Sequence, residues 1–579
     1  MIDFKPKLLT SLKNYNKETF ISDLMAGIIV GIVALPLAIA FAIASGVPPE
    51  KGIITAIIAG FIVSIFGGTK VQIGGPTGAF IIIIYGIIQD YGTSGLIAAT
   101  LIAGFLLIAM GVFRLGTIIK FIPYPIIVGF TSGIAVTIFT TQIGDALGLN
   151  FGGETVPADF ISKWILYFKN IQTIDPWNTM VSLASIGLIL ITPRFSKKIP
   201  GSLIAIIVMT GIAYLITTYL GVTSISTIGD RFSIQSQIPT MEMPSLSWVA
   251  IKNLFPVAIV IAVLGAIESL LSATVADGVT GDKHNSNTEL IAQGMANVVA
   301  PLFGGIPATG AIARTMTNIN NGGKTPIAGI IHAIVLLLIL LFFMPLAQYI
   351  PMSCLAGVLI IVAYNMSEWR TFKALLKNPK ADVVVLVVTF LLTVIFDLVV
   401  AIQMGLVVAA IMFMKRVADS TSISVARENI NLTEDLGPEF KDENIVIPKG
   451  IEVYEIDGPY FFGIANKFEE QMVHIGDRPN VRIFRMRKVP FIDSTGIHNL
   501  STLCRTSIGE GITIVLSGVN PKVHDTLKKA GFYEILGREN ICSNIYIAME
   551  RAKEIITILE EEKKLKKKQE AKEEKKEEQ

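Results

Sequence analysis

Long apolar runs separated by short polar segments dominate the first 415 residues of the chain. A helix needs about 20 mostly apolar residues to cross a bilayer. The runs that approach this length are 20–42, 51–67, 93–113, 118–143, 176–193, 199–221, 252–276, 285–303, 323–346, 347–364, 381–397 and 398–415. Two shorter apolar segments, 77–89 and 308–319, follow clusters of glycine and proline. We therefore predict an α-helical polytopic membrane protein with 14 transmembrane elements, two of them half-helices.

One sequence unit occurs in both halves of the apolar region. AIIAGFIVSIFGG (56–68) precedes the PTG that contains Thr77, and AQGMANVVAPLFGG (292–305) precedes the PATG that contains Thr309. Each half then has seven elements, an odd number, so the two halves have opposite orientations in the membrane. Inverted repeats with paired broken helices are typical of transporters whose site lies at the membrane midplane. The alternative is a chance match, because glycine and proline breaks are common in membrane helices.

The basic residues of the loops indicate the orientation. With 14 crossings both termini lie on one side, and the loops of that side contain Lys70, Arg114, Lys120, Arg194, Lys197, Lys198, Lys283, Lys324, Arg370, Lys373, Lys377 and Lys380. The opposite loops contain mainly Lys163, Lys169, Arg231 and Lys252. Cytoplasmic loops are enriched in lysine and arginine. We therefore predict a multi-pass protein of the cytoplasmic (inner) membrane with both termini in the cytoplasm.

Composition changes near residue 438. The whole chain is 52% hydrophobic and only 16% charged, but strand and helix patterns alternate after this point, which predicts a small α/β domain. The predicted division is a cytoplasmic segment (1–19), a transmembrane transport domain (20–418), a cytoplasmic domain (438–558) and a charged low-complexity tail (559–579). Cys354, Cys504 and Cys542 are too far apart for a disulfide framework or a zinc site. We expect no metal and no cofactor.

The half-helices predict an anion-binding site. The N-terminus of a helix favours an anion through its free N–H groups and its dipole. Small residues that let an anion reach the backbone lie at both starts, and they are Thr77, Gly78, Ala79, Ala308, Thr309 and Gly310. The alternative is that the glycines only allow close packing of helices.

Two charged residues within the apolar runs add to this site. Arg314 lies in the second half-helix, and an arginine within a membrane segment is usually functional or paired. Glu268 lies in the run 252–276, where an apolar environment favours its protonated form, which suits proton coupling. The alternative is a static salt bridge between the two. Ser272, one turn beyond Glu268, and Pro36, which interrupts the first helix, are expected to line the site.

The segment FIDSTGIHNL (491–500) stands out in the C-terminal domain. A strand leads into Asp493, and a helix begins at Ser494 or Thr495. An ordinary helix cap by Asp493 or Ser494 explains the pattern. Exposed hydroxyls at a helix N-terminus also suit phosphorylation, so Ser494 and Thr495 are possible regulatory residues.

Several motifs together resemble one known family. AIESLLSATVADGVTGDKHNSNTELIAQGMANVVAPLFGGIPATGAIART (266–315) resembles the signature region of the SulP family, the sulfate-permease-type anion transporters. ALPLAIAFAIASGVPPEKGI (34–53) and GGPTGAF (74–80) resemble the family's first and third helices, and IDSTG (492–496) resembles its STAS domain.

This resemblance implies a specific fold and specific roles. It implies a seven-plus-seven inverted repeat like that of the nucleobase transporter UraA, with a core of elements one to four and eight to eleven and a gate of the others. The anion would bind near Thr77 and Thr309, and Arg314 would supply positive potential. Glu268 occupies the position of an aspartate in sodium-coupled bicarbonate carriers, and Ser272 that of a sodium-binding threonine. These differences favour proton over sodium coupling. Thr495 matches the phosphorylated hydroxyl of anti-sigma-factor antagonists.

We therefore expect a non-enzymatic secondary transporter that carries sulfate, bicarbonate or a dicarboxylate with a proton by an elevator mechanism. Homodimers are frequent in the family, and we expect one here; no nucleic-acid partner is expected. An uncoupled or exchange-type carrier is the first alternative. A nucleobase symporter on the same fold is another, although a neutral base has no need of Arg314. A membrane sensor that acts through the STAS domain is the alternative of another class.

Overall fold

The computed structural model describes residues 4–117, 123–154, 156–157, 159–195, 200–232, 240–241, 248–396, 398–426, 429–431, 444–462 and 478–577. The chain divides into two units, Met1–Ala409 and Ala410–Gln579. The helices that begin in the first unit are α1 (Lys7–Ser11), α2 (Lys17–Ala44), α3 (Pro49–Phe66), α4 (Ile81–Val112), α5 (Tyr124–Leu147), α6 (Phe160–Lys169), α7 (Pro176–Phe195), α8 (Gly201–Leu220), α9 (Ile228–Arg231), α10 (Trp248–Thr280), α11 (Ser286–Leu302), α12 (Ile312–Asn320), α13 (Ile327–Phe342), α14 (Met352–Met366), α15 (Trp369–Leu375), α16 (Lys380–Ile395) and α17 (Leu398–Ser420).

This arrangement confirms the predicted helical membrane fold. Eight helices in the described part of the chain are long and apolar enough to cross a membrane, and α13 is a shorter apolar helix. The first half-helix and the element after it form α4, which is broken at Gly92, where a backbone φ of +66° interrupts the helical geometry. Glycine adopts this conformation without a steric penalty.

Three predicted boundaries differ from the structure. The predicted half-helix 308–319 starts later, at Ile312, because Thr309–Gly310 form a short strand instead. The predicted run 347–364 is a 3₁₀ helix (Met344–Tyr349) followed by α14, because Pro351 lies between them. The run 118–143 corresponds to α5, and residues 118–122 lie outside the described residues.

Helices from both repeats interlock in the first unit. We call α2–α4 and α10–α13 the core helices, and α5, α7, α8, α14, α16 and α17 the gate helices. Helices α4 and α11 come from different repeats and cross at two glycines. A Cβ at Gly104 would lie 2.8 Å from the carbonyl oxygen of Gly294, and a Cβ at Gly294 would lie 2.6 Å from that of Gly104. Small residues of this kind let membrane helices approach closely.

The second unit contains a five-stranded sheet. Its strands are β3 (Ser422–Ala426), β6 (Ile451–Asp457), β7 (Val481–Lys488), β8 (Thr513–Ser517) and β9 (Ile541–Cys542), in that spatial order. Strand β3 is antiparallel to β6, and the other neighbours are parallel. Strands β4 (Asn429–Asn431) and β5 (Asn444–Val446) pair separately. The sheet confirms the predicted α/β character, and it begins before the predicted boundary at 438.

Helices cover both faces of this sheet. They are α18 (Ser494–Gly509), α19 (Pro521–Lys529), α20 (Phe532–Leu536) and α21 (Ile545–Glu577). Tyr454, Phe484 and Leu516 form one core with residues of α18–α20. The preceding residue of each strand, such as Val453 and Ile483, packs against α21 on the other face, because side chains alternate along a strand. The segment ANKFEEQMVHI (465–475), whose sequence predicts a helix, lies outside the described residues.

The crossing of α4 and α11 gives a stability prediction. We expect Gly294→Ala to lower stability by about 1–3 kcal/mol, because the added methyl group collides with the backbone of α4. Thermal denaturation of the purified protein measures this. Gly211→Ala in α8 is the matched control, since nothing lies within 4 Å of a Cβ there. Equal melting temperatures for both variants would contradict the close crossing.

Candidate functional site

A two-residue crossing brings the two repeats together. Strand β1 (Gly74–Gly75) pairs in antiparallel fashion with β2 (Thr309–Gly310), and Gly74 lies opposite Gly310. The N–H of Ala311 also donates to the carbonyl of Ile73, at 2.9 Å. Helical structure begins shortly after each strand, at Gly78 in the first repeat and at Ile312 in the second. The predicted meeting of two helix starts is therefore present in the fold.

The polar groups of residues 308–310 bind neighbouring core helices. The hydroxyl of Ser269 on α10 lies 2.7 Å from that of Thr309 and accepts from the N–H of Gly310 at 3.0 Å. The side chain of Asn297 on α11 accepts from the N–H of Ala308 at 2.9 Å and donates to its carbonyl at 2.8 Å. The predicted helix start at Ala308 is therefore corrected, and Ala311–Ala313 occupy that place.

The first helix start presents small residues and a hydroxyl. Thr77 precedes a 3₁₀ helix, Gly78–Phe80, that leads directly into α4. Gly78 and Ala79 are buried, so their backbone is screened from bulk water. The Oγ1 atom of Thr77 is also buried and has no hydrogen-bond partner among the described residues. Its hydroxyl is thus available to a ligand.

Arg314 lies in the first turn of α12 and is almost fully buried, at 1% exposure. Its Nη2 donates to the carbonyl oxygen of Pro76 at 3.0 Å, which ties the second repeat to the first. Its Nη1 is buried without a hydrogen-bond partner in the described part of the chain. A Cβ at Gly75 would overlap this nitrogen, so only glycine leaves room for the guanidinium there.

Both helix starts line one cavity of about 530 Å³. Its lining from the core includes Thr77, Gly78, Ala79, Ala311, Ile312, Ala313, Arg314, Glu268, Leu37 and Phe41. Its lining from the gate includes Thr131, Ile189, Pro193, Gly201, Ser202, Asn365 and Met366, and Glu368 follows α14. The site thus lies between core and gate helices. Pro193, Gly201 and Glu368 lie next to loops for which we predict a cytoplasmic location.

Of the other residues predicted at the site, Glu268 lines the cavity, and Pro36 and Ser272 do not. Glu268 is half-buried and lines the cavity with Arg314, but the two make no salt bridge within 4.0 Å among the described residues. The static ion pair considered from the sequence is therefore not formed in this conformation. Pro36 and Ser272 do not contribute to the cavity lining. The Ser272 hydroxyl instead donates to Thr315 Oγ1 at 3.3 Å, and Thr315 accepts from the N–H of Ile73.

Sequence reasoning missed a buried polar network behind the crossing. Glu289 is fully buried and accepts from the N–H of Gly68 at 2.9 Å, from Thr69 at 3.1 Å and from Gln72 at 3.0 Å. Gln293, one turn further on α11, donates to the same carboxylate at 3.0 Å. The sequence does contain a signal for this network. Glu289, Gln293 and Asn297 are spaced by four residues, so these polar side chains share one face of α11.

The segment near Thr495 adopts the predicted helix start. The side chain of Asp493 accepts from the N–H of Gly496 at 2.7 Å and caps α18. Ser494 and Thr495 are exposed at this N-terminus. The cap explains Asp493, and regulation through the two hydroxyls stays a prediction.

Comparisons with known proteins agree with this architecture. Residues 20–389 match the model of the sulfate permease family, and residues 444–548 match that of the STAS domain. The chain is 40% identical over 529 residues to YvdB of Bacillus subtilis (strain 168), which is named as a candidate sulfate transporter, and the match covers 91% of this chain and 97% of YvdB.

Two solved structures are also similar. The transmembrane domain of a cyanobacterial bicarbonate transporter, BicA, is 30% identical with a TM-score of 0.59, and the match covers 68% of this chain and 98% of that domain. The murine anion transporter Slc26a9, in the inward-facing state, shares the fold with a TM-score of 0.83 at 19% identity, over 94% of this chain and 93% of that one. The chain therefore belongs to the sulfate permease family of membrane anion transporters and has a C-terminal STAS domain.

Proposed function

We propose that this protein is a secondary active transporter that carries a small anion together with a proton. The anion binds between the helix starts at Thr77–Ala79 and Ala311–Ala313, beside Arg314. The relatives described above are named for sulfate and for bicarbonate, and either anion suits a site with one arginine.

The unpartnered Nη1 of Arg314 is the observation that carries this proposal. Arg314 makes no salt bridge within 4.0 Å in the described part of the chain, and a buried cation without a counter-charge costs on the order of several kcal/mol, so its presence is best explained by a bound anion. The partial positive charges of two helix starts favour the same ligand. The unpartnered hydroxyl of Thr77 supplies a further donor. Its position in the same cavity gives the anion contacts from both repeats.

Glu268 is the proposed proton carrier. It lines the same cavity and makes no ion pair within 4.0 Å in the described part of the chain, so its carboxylate is accessible to a proton. A protonated Glu268 would remove a negative charge beside the anion. Because the hydroxyl of Ser272 already binds Thr315, support for a sodium site at this position is weak.

The proposed transport step is a movement of the core helices against the gate helices. The binding residues Thr77, Gly78 and Arg314 all lie on the core, whereas the facing wall belongs to the gate. A rigid displacement of the core would therefore carry the anion without dismantling its site. A homodimer in the cytoplasmic membrane, with both termini in the cytoplasm, would hold the gate stationary.

Arg314→Ala should reduce anion uptake by at least about 100-fold, because it removes the charged donor of the site. Uptake of labelled sulfate and bicarbonate into proteoliposomes measures this. Gly75→Ala should have a similar effect while Arg314 is retained, because the added Cβ displaces the guanidinium. Gly86→Ala, where nothing lies within 4 Å of a Cβ, is the matched control. Normal uptake by Arg314→Ala would refute the site.

Glu268→Gln should abolish proton-driven accumulation while part of the anion exchange remains. The amide cannot take up a proton, but it occupies the volume of the carboxyl group. Counterflow and gradient-driven uptake into the same proteoliposomes separate the two activities. Unchanged accumulation would remove Glu268 from the coupling mechanism and favour an exchange-type carrier.

Thr495→Ala tests the sensor alternative. If the protein acts mainly as a membrane sensor, the variant should lose a signalling output and keep normal uptake. If Thr495 regulates transport, uptake should instead differ between this variant and Thr495→Glu, which mimics added charge. Identical uptake and signalling in all three proteins would exclude both roles.

A further inference from the structure

Glu368 is an acidic residue of the cavity that the transport scheme above does not use. It follows α14, and its backbone has φ +42° and ψ +34°. Among the described residues, only Arg114 is another non-glycine residue with positive φ. Residues other than glycine, asparagine and aspartate rarely adopt this conformation, and such strain is concentrated at functional sites.

Neighbouring contacts fix the position of this residue. The hydroxyl of Ser132 on α5 donates to the carbonyl of Ser367 at 2.6 Å. The carbonyl of Glu368 itself accepts from the N–H of Phe372 at 2.9 Å, in the first turn of α15. The backbone before Glu368 is thus held by α5 and the backbone after it by α15, which fixes where its side chain emerges.

The carboxylate of Glu368 is not neutralised by a basic neighbour. Within the described ranges it makes no salt bridge within 4.0 Å, although Arg370 is close in sequence. The guanidinium of Arg370 lies over the ring of Trp369 instead, 5.3 Å from its centroid. Glu368 lines the same cavity as Glu268 and Arg314, and it is within electrostatic reach of Glu268 and of Tyr124 on α5.

The charges around the cavity can be compared with that of its ligand. Arg314 contributes one positive charge, and each helix start contributes about half a charge. Ionised Glu268 and Glu368 together offset this positive charge. A proton on Glu268 leaves roughly one net positive charge, which matches a monovalent anion. A divalent anion would need the charge of Glu368 to be removed as well.

We propose that Glu368 is a specificity-determining residue whose negative charge makes the cavity favour a monovalent anion over a divalent one. This inference rests on the proposed function, because it assigns a selectivity to the same anion site. The residue is exposed, follows the gate helix α14 and lines the cavity. It repels a divalent anion twice as strongly as a monovalent one at the same distance.

Calorimetric titration of the purified full-length protein at pH 8, with sulfate and with bicarbonate as probes, tests this directly. For a separation of roughly 8 Å and an effective dielectric constant of about 40, Glu368→Gln should tighten binding about five-fold per unit of anion charge. The ratio of sulfate to bicarbonate affinity should therefore rise about five-fold. Glu368→Asn should give the same change, since asparagine tolerates the left-handed backbone.

Two controls isolate the charge at this position. Glu368→Asp keeps the charge and should keep the wild-type ratio. Glu18→Gln removes an exposed carboxylate in the first turn of α2, outside the cavity, and should also leave the ratio unchanged. An unchanged ratio in both Glu368→Gln and Glu368→Asn would overturn the proposal, as would an equal loss of affinity for both anions.

Failure of the underlying site would look different. If Arg314→Ala binds both anions as tightly as the wild type, the anion site itself is misplaced, whatever the Glu368 variants show. If Arg314→Ala loses its affinity for both anions and the Glu368 variants keep the wild-type ratio of sulfate to bicarbonate affinity, only the selectivity proposal is wrong.

Discussion

Two antiparallel residue pairs, Gly74 with Gly310 and Gly75 with Thr309, hold the two inverted repeats at a single cavity. The positions of both helix starts and of Arg314 depend on this crossing. It aligns the helix start after Thr77 with the one after Ala311, and it brings Arg314 of one repeat to the carbonyl of Pro76 in the other. Side chains larger than hydrogen at Gly75 would occupy the space of the guanidinium. Gly75 therefore leaves room for the arginine as well as taking part in the backbone pairing.

Buried polar side chains allow this irregular backbone to exist within a membrane. Backbone groups that leave helical geometry must find partners, because lipid offers none. Asn297 and Ser269 satisfy residues 308–310, and Glu289 satisfies the loop that precedes β1. Among the described residues that line the cavity, Thr77 and Arg314 are the ones with a buried side-chain donor that has no partner. The network therefore separates groups that maintain the fold from groups available to an anion.

The sequence predicted the repeat and the half-helices, because apolar length and glycine breaks are local signals. The STAS domain was predicted from the resemblance of IDSTG (492–496) to that family. It placed Thr77, Arg314 and Glu268 at the cavity that the structure contains. It misplaced the second helix start, because pairing of Thr309–Gly310 with the other repeat is a long-range interaction that no local pattern encodes. The sequence also did not predict that Ser272 lies outside the cavity lining or that Glu368 belongs to it. Which side chain faces the cavity depends on packing between distant helices.

The most direct test of proton-coupled anion transport is uptake into proteoliposomes with and without an inward proton gradient. Labelled sulfate, bicarbonate and succinate would be compared with the wild-type protein. The account predicts uphill accumulation of at least one of these anions only when the gradient is present. Uptake that is independent of the gradient would contradict proton coupling and would identify an exchanger or uniporter built on the same site.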